Sequence, residues 1–175
     1  RFDGATKKAK EGMTYSHASL YGIPATGLRF FTVYGPWGRP DMSPWLFTER
    51  ILRGEPIQVF NHGRMRRDFT YIDDLVEAIR RLIDTPPVAG QPVMRNDSLS
   101  PVAPYRLVNI GHAAPVRLMD YIEAIERAIG KKAVKNMLDM QPGDVKQTYA
   151  DISLLQALRG YVPTTEVKRV IECRE

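Results

Sequence analysis

Thr26-Gly27-Leu28-Arg29-Phe30-Phe31-Thr32-Val33-Tyr34 runs directly into Gly35-Pro36-Trp37-Gly38-Arg39-Pro40-Asp41. The first stretch is rich in aromatic and β-branched residues and reads as a buried strand. The second is punctuated by glycine and proline and reads as a turn-rich loop. Upstream, Ala5, Ala9, Met13 and Leu20 fall near one face of a helix, with Asp3 as its N-cap and Gly22 and Pro24 as its stop. In open α/β sheets ligands bind beyond the carboxyl ends of strands. The loop that follows Tyr34 and carries Arg39 is therefore the first place to look for a site. The alternative for Arg39 is a solvated arginine in a turn.

Working outward, residues 43–53 read as a helix with Ser43 as cap, Pro44 in first position and Gly54 as end. Its apolar side is expected to be Trp45, Leu46, Ile51 and Leu52. Residues 57–60 and 66–72 read as strands, the second leading into a helix capped by Asp73 that runs to about Ile83. Residues 85–104 contain Pro86, Pro87, Pro92, Pro101 and Pro104 without periodicity and read as a surface loop. Then come a strand at 106–110, an amphipathic helix at 116–129 closed by Gly130, a strand at 132–137 and a short extended piece at 147–150. Asp151 caps a helix that Gly160 ends, and a last helix starts near Thr164. Strands alternating with helices imply an α/β fold. No G-x-G-x-x-G turn follows any strand, and the strand at 28–33 has no parallel partner upstream, so residues 1–34 are expected to be the end of a larger sheet.

The 175 residues carry a net charge of +5, with 43% hydrophobic and 26% charged residues. That is enough apolar material for a core and an ordinary charged fraction. The positive charge is interleaved with acids, which suits a protein that tolerates anionic ligands better than one that binds nucleic acid. Cys173 is the only cysteine, so no disulfide forms within the chain, and a reducing, cytoplasmic setting is expected. His17, His62 and His112 lack ligand spacing, and no metal site is expected. No apolar run is long enough to span a membrane and the N-terminus does not read as a signal peptide, so no membrane association is expected.

Three segments together resemble a known family: residues 5–9 (Ala-Thr-Lys-Lys-Ala), residues 27–42 from Gly27 to Met42, and Arg67-Asp68-Phe69-Thr70-Tyr71-Ile72-Asp73-Asp74. They are similar to the extended short-chain dehydrogenase/reductases, and within these to the UDP-glucuronate 4-epimerases. Asn109-Ile110-Gly111 and Gln141-Pro142-Gly143-Asp144 fit the same pattern. The resemblance runs from about residue 4 to residue 160. It implies that residues 1–34 are a helix and strand of a NAD-binding Rossmann domain. Residues 35–175 are then a small mixed α/β domain that binds a nucleotide sugar. Family members are about twice as long, so the expectation is the C-terminal half of an epimerase, inactive alone and not binding NAD alone.

The resemblance also implies roles. Lys7 resembles the active-site lysine that holds the nicotinamide ribose and favours the phenolate of a tyrosine one helical turn earlier. Asp3 stands in that tyrosine's place here, and a carboxylate beside an ammonium group is a poor base. The alternative for Lys7 is a solvated helix lysine. Tyr34 is placed with Lys7 at the cofactor. Thr32 and Arg39 resemble a pair that meets the carboxylate of a uronic acid, because a guanidinium fork matches a carboxylate. UDP-glucuronate is therefore favoured over UDP-glucose.

Alternation along a strand puts Met65, Arg67, Phe69 and Tyr71 on one face and Arg64, Arg66 and Asp68 on the other. Arg67, among apolar neighbours, wants an anion: the UDP diphosphate by resemblance, or an internal carboxylate such as Asp73 or Asp144. Gln58 and Phe60 resemble positions that hold the uracil, and Asp144 one near the uridine ribose. The alternatives are core packing for Phe60 and a turn aspartate for Asp144. Two other outcomes remain open: a decarboxylase or dehydratase of the same family, and a non-catalytic UDP-sugar-binding module. A homodimer formed through the helix at 5–21 is implied as well.

Overall fold

The computed structural model describes residues 2–172, with only the backbone described for Asp3, Val170 and Glu172. In chain order the elements are α1 (Phe2–Tyr21), β1 (Ala25–Phe30), β2 (Thr32–Tyr34), α2 (Ser43–Arg53), β3 (Ile57–Phe60), a 3-10 turn (Asn61–Gly63), β4 (Arg66–Arg67), β5 (Phe69–Tyr71), α3 (Ile72–Ile83), β6 (Tyr105–Ile110), β7 (Val116–Arg117), α4 (Leu118–Ile129), β8 (Lys135–Leu138), α5 (Ser153–Arg159) and α6 (Val167–Glu172). The fold is α/β, with three parallel strand pairs and one antiparallel pair among the described residues.

The chain divides into two compact units built from alternating segments. The first takes the residues up to Phe30, Val76–Ile110 and Asp151–Val162. Here β1 and β6 pair in parallel from Ala25↔Tyr105 to Phe30↔Ile110. Ala18 of α1 packs with Ala103 and Tyr105, and Tyr15 meets the Tyr105 ring edge-on at 5.6 Å. The loop at 85–104 is a loop as expected, and it is anchored. The buried Asp97 carboxylate accepts the N–H groups of Val93 (2.9 Å) and Leu99 (3.0 Å) and both forks of Arg106 (2.9 Å each). Burial alone pushes Asp97 up, but Arg106 and the two N–H groups outweigh it and hold the carboxyl below its usual range.

The second unit takes Phe31–Leu75, Gly111–Ala150 and the residues from Pro163 on. In it β2 pairs with β5 and β3 with β8, both parallel, while β4 and β7 are antiparallel. Phe47 and Ile51 of α2, one turn apart, meet Tyr121, Ile122 and Ile125 of α4 over Ile57, Val59 and Phe69. Phe69 stacks on Tyr121 with centroids 4.8 Å apart. Each such fully buried side chain stabilises the unit by about 1.5–3 kcal/mol. Gly54 and Gly130 end α2 and α4 in the left-handed conformation, as their positions predict.

Several expectations need correction. The strand expected at 26–34 breaks at Phe31 into β1 and β2, and β1 is only half-buried because it has one strand neighbour. Asp3 lies inside α1 rather than capping it. The cap of α2 is Met42, which moves Pro44 to the second helical position, and Trp45, Leu46 and Leu52 are exposed. Asp73 lies in the first turn of α3 and does not cap it. Residues 66–72 form two short strands separated by Asp68. Val116 and Arg117 pair as a strand before α4 begins. The strand expected at 132–137 is Lys135–Leu138, and residues 147–150 contribute only an isolated bridge, Gln147 to Arg66. Asp151 accepts the Ser153 N–H at 3.0 Å, but the cap of α5 is Ile152. The last helix starts at Val167, because Thr164 and Thr165 give their N–H groups to the Asp74 carboxylate. Cys173 lies outside the described residues.

Candidate functional site

Asp68 organises the second unit. Its side chain is fully buried. One carboxylate oxygen accepts the His112 N–H at 3.0 Å, and the other accepts those of Ala113 (3.1 Å) and Ala150 (2.8 Å). Its own N–H goes to the Thr148 hydroxyl at 2.9 Å. A buried carboxylate needs this many partners. Strict alternation puts Asp68 on a face away from Arg67. The strand is interrupted at Asp68, and the loops at 111–113 and 148–150 close over it. Gly111 is required there, since a Cβ would collide with Ala150.

The partners of Asp68 thus fix the chain beside its neighbour Arg67. The Arg67 guanidinium donates to the carbonyls of Arg66 (3.0 Å) and Val145 (2.8 Å) and to Asp144 at 2.9 Å. Both side chains of the pair are roughly four-fifths buried, at 21% and 23% exposed. Asp144 also accepts the Val145 N–H at 2.8 Å. Two site residues expected for different parts of a ligand are therefore in contact. The internal-carboxylate partner for Arg67 is Asp144, and Asp73 plays no such part.

Gln58 and Phe60 of β3 line one cavity of about 200 Å³ with Ser43, Leu46, Phe47 and Arg50 of α2. Phe60 is half-buried and edges this cavity, while Phe47 behind it is core. The α2 residues carry no motif of their own, and only the amphipathic spacing of α2 hinted at them.

Arg39 behaves differently. It is 76% exposed and forms a two-pronged contact with Asp41, two residues away, at 3.0 and 2.5 Å. That contact holds the Asp41 carboxyl below its usual range. Thr32 opens β2 and gives its N–H to the Asp68 carbonyl at 3.1 Å. Tyr34 is buried in the core of the second unit between Phe69 and Tyr71, and its hydroxyl donates to the Thr165 carbonyl at 3.4 Å. Burial, with Asp74 and Tyr71 nearby, pushes the Tyr34 phenol well above its usual range, so it stays protonated.

Lys7 lies in the first unit, on the exposed side of α1. It borders a groove of about 650 Å³ whose walls include Glu11, Arg29 and Tyr105. The forked Arg29 contact and Lys8 bring the Glu11 carboxyl down to about 2. The Asp3 side chain lies outside the described residues.

A dinucleotide's pyrophosphate sits on a glycine turn that opens a helix. Among the described residues, β5 passes straight into α3 and β7 straight into α4, with no glycine between. The loop before α2 has Gly35 and Gly38, but the helix it opens carries Pro44 in its first turn, which has no N–H to offer. These junctions do not fit a dinucleotide pyrophosphate. Among the described residues no cluster of three or more metal-ligating acids, histidines or cysteines occurs, and no helix is long and apolar enough to cross a membrane.

Residues 4–96 match the sequence pattern of the NAD dependent epimerase/dehydratase family. The chain belongs to this family. A probable UDP-glucuronate 4-epimerase of Rhizobium meliloti (strain 1021) is 52% identical over 167 residues. Protein CapI of Staphylococcus aureus is 51% identical over 166. Each alignment covers 94% of this chain and 49–50% of the relative, so the chain spans about half the length of the curated relatives it matches. Among solved structures, the UDP-glucuronic acid 4-epimerase of Bacillus cereus, crystallised with UDP-glucuronic acid and NAD, superposes with a TM-score of 0.81 at 34% identity. That match covers 97% of this chain and 49% of the Bacillus protein. The epimerase/dehydratase membership agrees with the resemblance drawn from residues 5–9, 27–42 and 67–74.

Proposed function

We propose that this chain is the nucleotide-sugar-holding part of a NAD-dependent UDP-glucuronate 4-epimerase, an isomerase acting on a nucleotide sugar destined for polysaccharide synthesis. The observation that carries the reading is the Arg67–Asp144 pair, held in place by two carbonyls and by the Asp68 hub. A guanidinium already oriented by the fold meets a diphosphate at little entropic cost. In this reading Arg67 turns its remaining donors to the UDP diphosphate. Asp144, an acceptor, takes a ribose hydroxyl. The cavity at Gln58 and Phe60 receives the uracil, the first residue by its backbone and the second by stacking.

Thr32 and Arg39 meet the uronate, which requires Arg39 to exchange Asp41 for the ligand's carboxylate. That exchange is easy for a pair so exposed. NAD supplies hydride chemistry in the family. Of this chain's residues, Lys7 faces the nicotinamide ribose, Tyr34 is a protonated phenol packed in the core of the second unit, and residues 1–34 belong with the cofactor domain. The 175 residues alone do not bind NAD and are inactive. The protein is cytoplasmic and pairs through α1, where Met13, Leu20 and Tyr21 are exposed. Asp3, standing where a tyrosine is expected, favours a second reading as a non-catalytic UDP-sugar-binding module.

Calorimetric titration with three ligands tests the reading. UDP-glucuronate should bind at micromolar levels, roughly 8 kcal/mol; UDP-glucose should bind more weakly, and NAD should give no heat. Equal affinity for both sugars would remove the uronate assignment, and no heat from either would remove the proposal.

A further inference from the structure

Arg66 points away from Arg67 on the other side of β4. Across the antiparallel ladder, Arg66 lies directly opposite Arg117 of β7. Like charges facing each other across strands repel, so this pairing costs stability in the ligand-free protein. Arg64, Arg66, Arg117 and Lys146 all line one cavity of about 400 Å³, and among the described residues no carboxylate lines it. None of these four side chains forms an ion pair among the described residues. Of the flanking groups, His62 is taken by Asp139 at 3.0 Å. Arg66 and Arg117 also border a second cavity that includes Asp120, Glu166 and Lys168, yet no ion pair joins either arginine to those acids. Met119, in the first turn of α4, completes the wall, and α4 begins without a side-chain cap. The positive end of a helix adds to the same potential.

We propose that the β4–β7 ladder carries an anion site for a small, multiply charged phosphate, either inorganic or at the end of a nucleotide. The size of the cavity suits a diphosphate, and no Phe, Tyr or Trp lines it to stack a base. A nucleic-acid strand, which needs a longer track and stacking platforms, fits less well. The anion would neutralise the facing arginines and convert a repulsive cross-strand pair into a bridged one.

The test uses the full chain, inorganic diphosphate and ADP, with chloride at matched ionic strength as the blank. Calorimetry and thermal melting are read on the parent, on Arg66→Gln/Arg117→Gln and on Arg67→Ala. Diphosphate should bind the parent and raise its melting temperature by mass action. The double variant should bind it about tenfold or more weakly, having lost two charged donors. It should also melt higher than the parent without ligand, because the repulsion is gone, and that result excludes a trivial folding defect. Arg67→Ala should keep the diphosphate response, and the double variant should keep UDP-glucuronate binding. ADP matching diphosphate supports a site that reads phosphate alone. Tighter ADP that the double variant also loses supports the same site reached from a nucleotide. Diphosphate uptake no greater than the chloride blank would overturn the proposal. So would uptake that survives in the double variant and disappears in Arg67→Ala. The first outcome leaves the UDP-glucuronate titration untouched, and the second would put the diphosphate at Arg67, where the proposed function holds it.

Discussion

Each unit of the molecule is organised by one buried aspartate, and the two are satisfied in different ways. Asp97 in the first unit is paired with a nearly buried arginine and two N–H groups, all within its own loop and the adjoining strand. Asp68 in the second has no cationic partner among the described residues and is held by three N–H groups from two distant loops. The first arrangement closes a local loop. The second gathers segments 44 to 82 residues apart in sequence around the strand that carries Arg67. A charge held by backbone dipoles leaves the neighbouring arginine available for other business, and a charge held by its own arginine does not. The comparison sets the proposed ligand site beside Asp68 against pure architecture at Asp97.

Asp97→Ala should produce the largest effect. It leaves Arg106 buried without a counter-charge, and breaking such a pair costs about 3–5 kcal/mol. Denaturant unfolding measures it, and the Val93 and Leu99 amides should exchange with solvent fastest. Asp68→Ala comes next, at about 2–3 kcal/mol, because buried N–H groups lose their acceptor. There the fast-exchanging amides should be His112, Ala113 and Ala150. If Asp68→Ala left those amides protected, the hub would not be one. Loss of UDP-sugar binding in Asp68→Ala, measured under conditions where it remains folded, sharpens the contrast further.

Acid provides a smaller test. Burial pushes Glu126 of α4 up, but Lys135, the Ala133 N–H and Lys132 outweigh it and bring it to about 2. Asp97 is lowered too. A carboxyl lowered by folding is protonated first in the unfolded chain. Its contribution is complete above the ordinary carboxylate range and is lost as pH falls through that range toward about 2. Melting temperature should therefore be flat near neutrality and fall below about pH 4.5. Glu126→Gln should flatten part of that fall. The smallest effect belongs to Arg39→Ala, which should leave the melting temperature unchanged because its contact with Asp41 is so exposed. It should nevertheless narrow the preference for UDP-glucuronate over UDP-glucose.

What could be read from the sequence followed physical locality. The helices at α2, α4 and α5 were legible because glycine stops and 3.6-residue spacing act within one element. Arg67 was legible as an arginine wanting an anion, since its apolar neighbours alternate along one strand. Asp68 was not, because its partners come from loops that pattern rules treat as separate, and the break in the strand at Asp68 overrides alternation. The Asp97–Arg106 pair was hidden for a similar reason: proline-rich composition reads as loose loop, while the loop is fastened by one carboxylate that follows no period. The cross-strand meeting of Arg66 and Arg117 depends on register between strands 50 residues apart, which no single segment encodes.

The central claim is that the Arg67–Asp144 pair beside the Asp68 hub is where a nucleotide sugar is held. Calorimetric titration of UDP-glucuronate into the parent chain and into Arg67→Ala, with circular dichroism to show that both are folded, tests it most directly. The account predicts micromolar binding to the parent and a loss of about tenfold or more in the variant, the expected consequence of removing a charged donor. Unchanged affinity in a folded Arg67→Ala, or no binding to the parent, would contradict it.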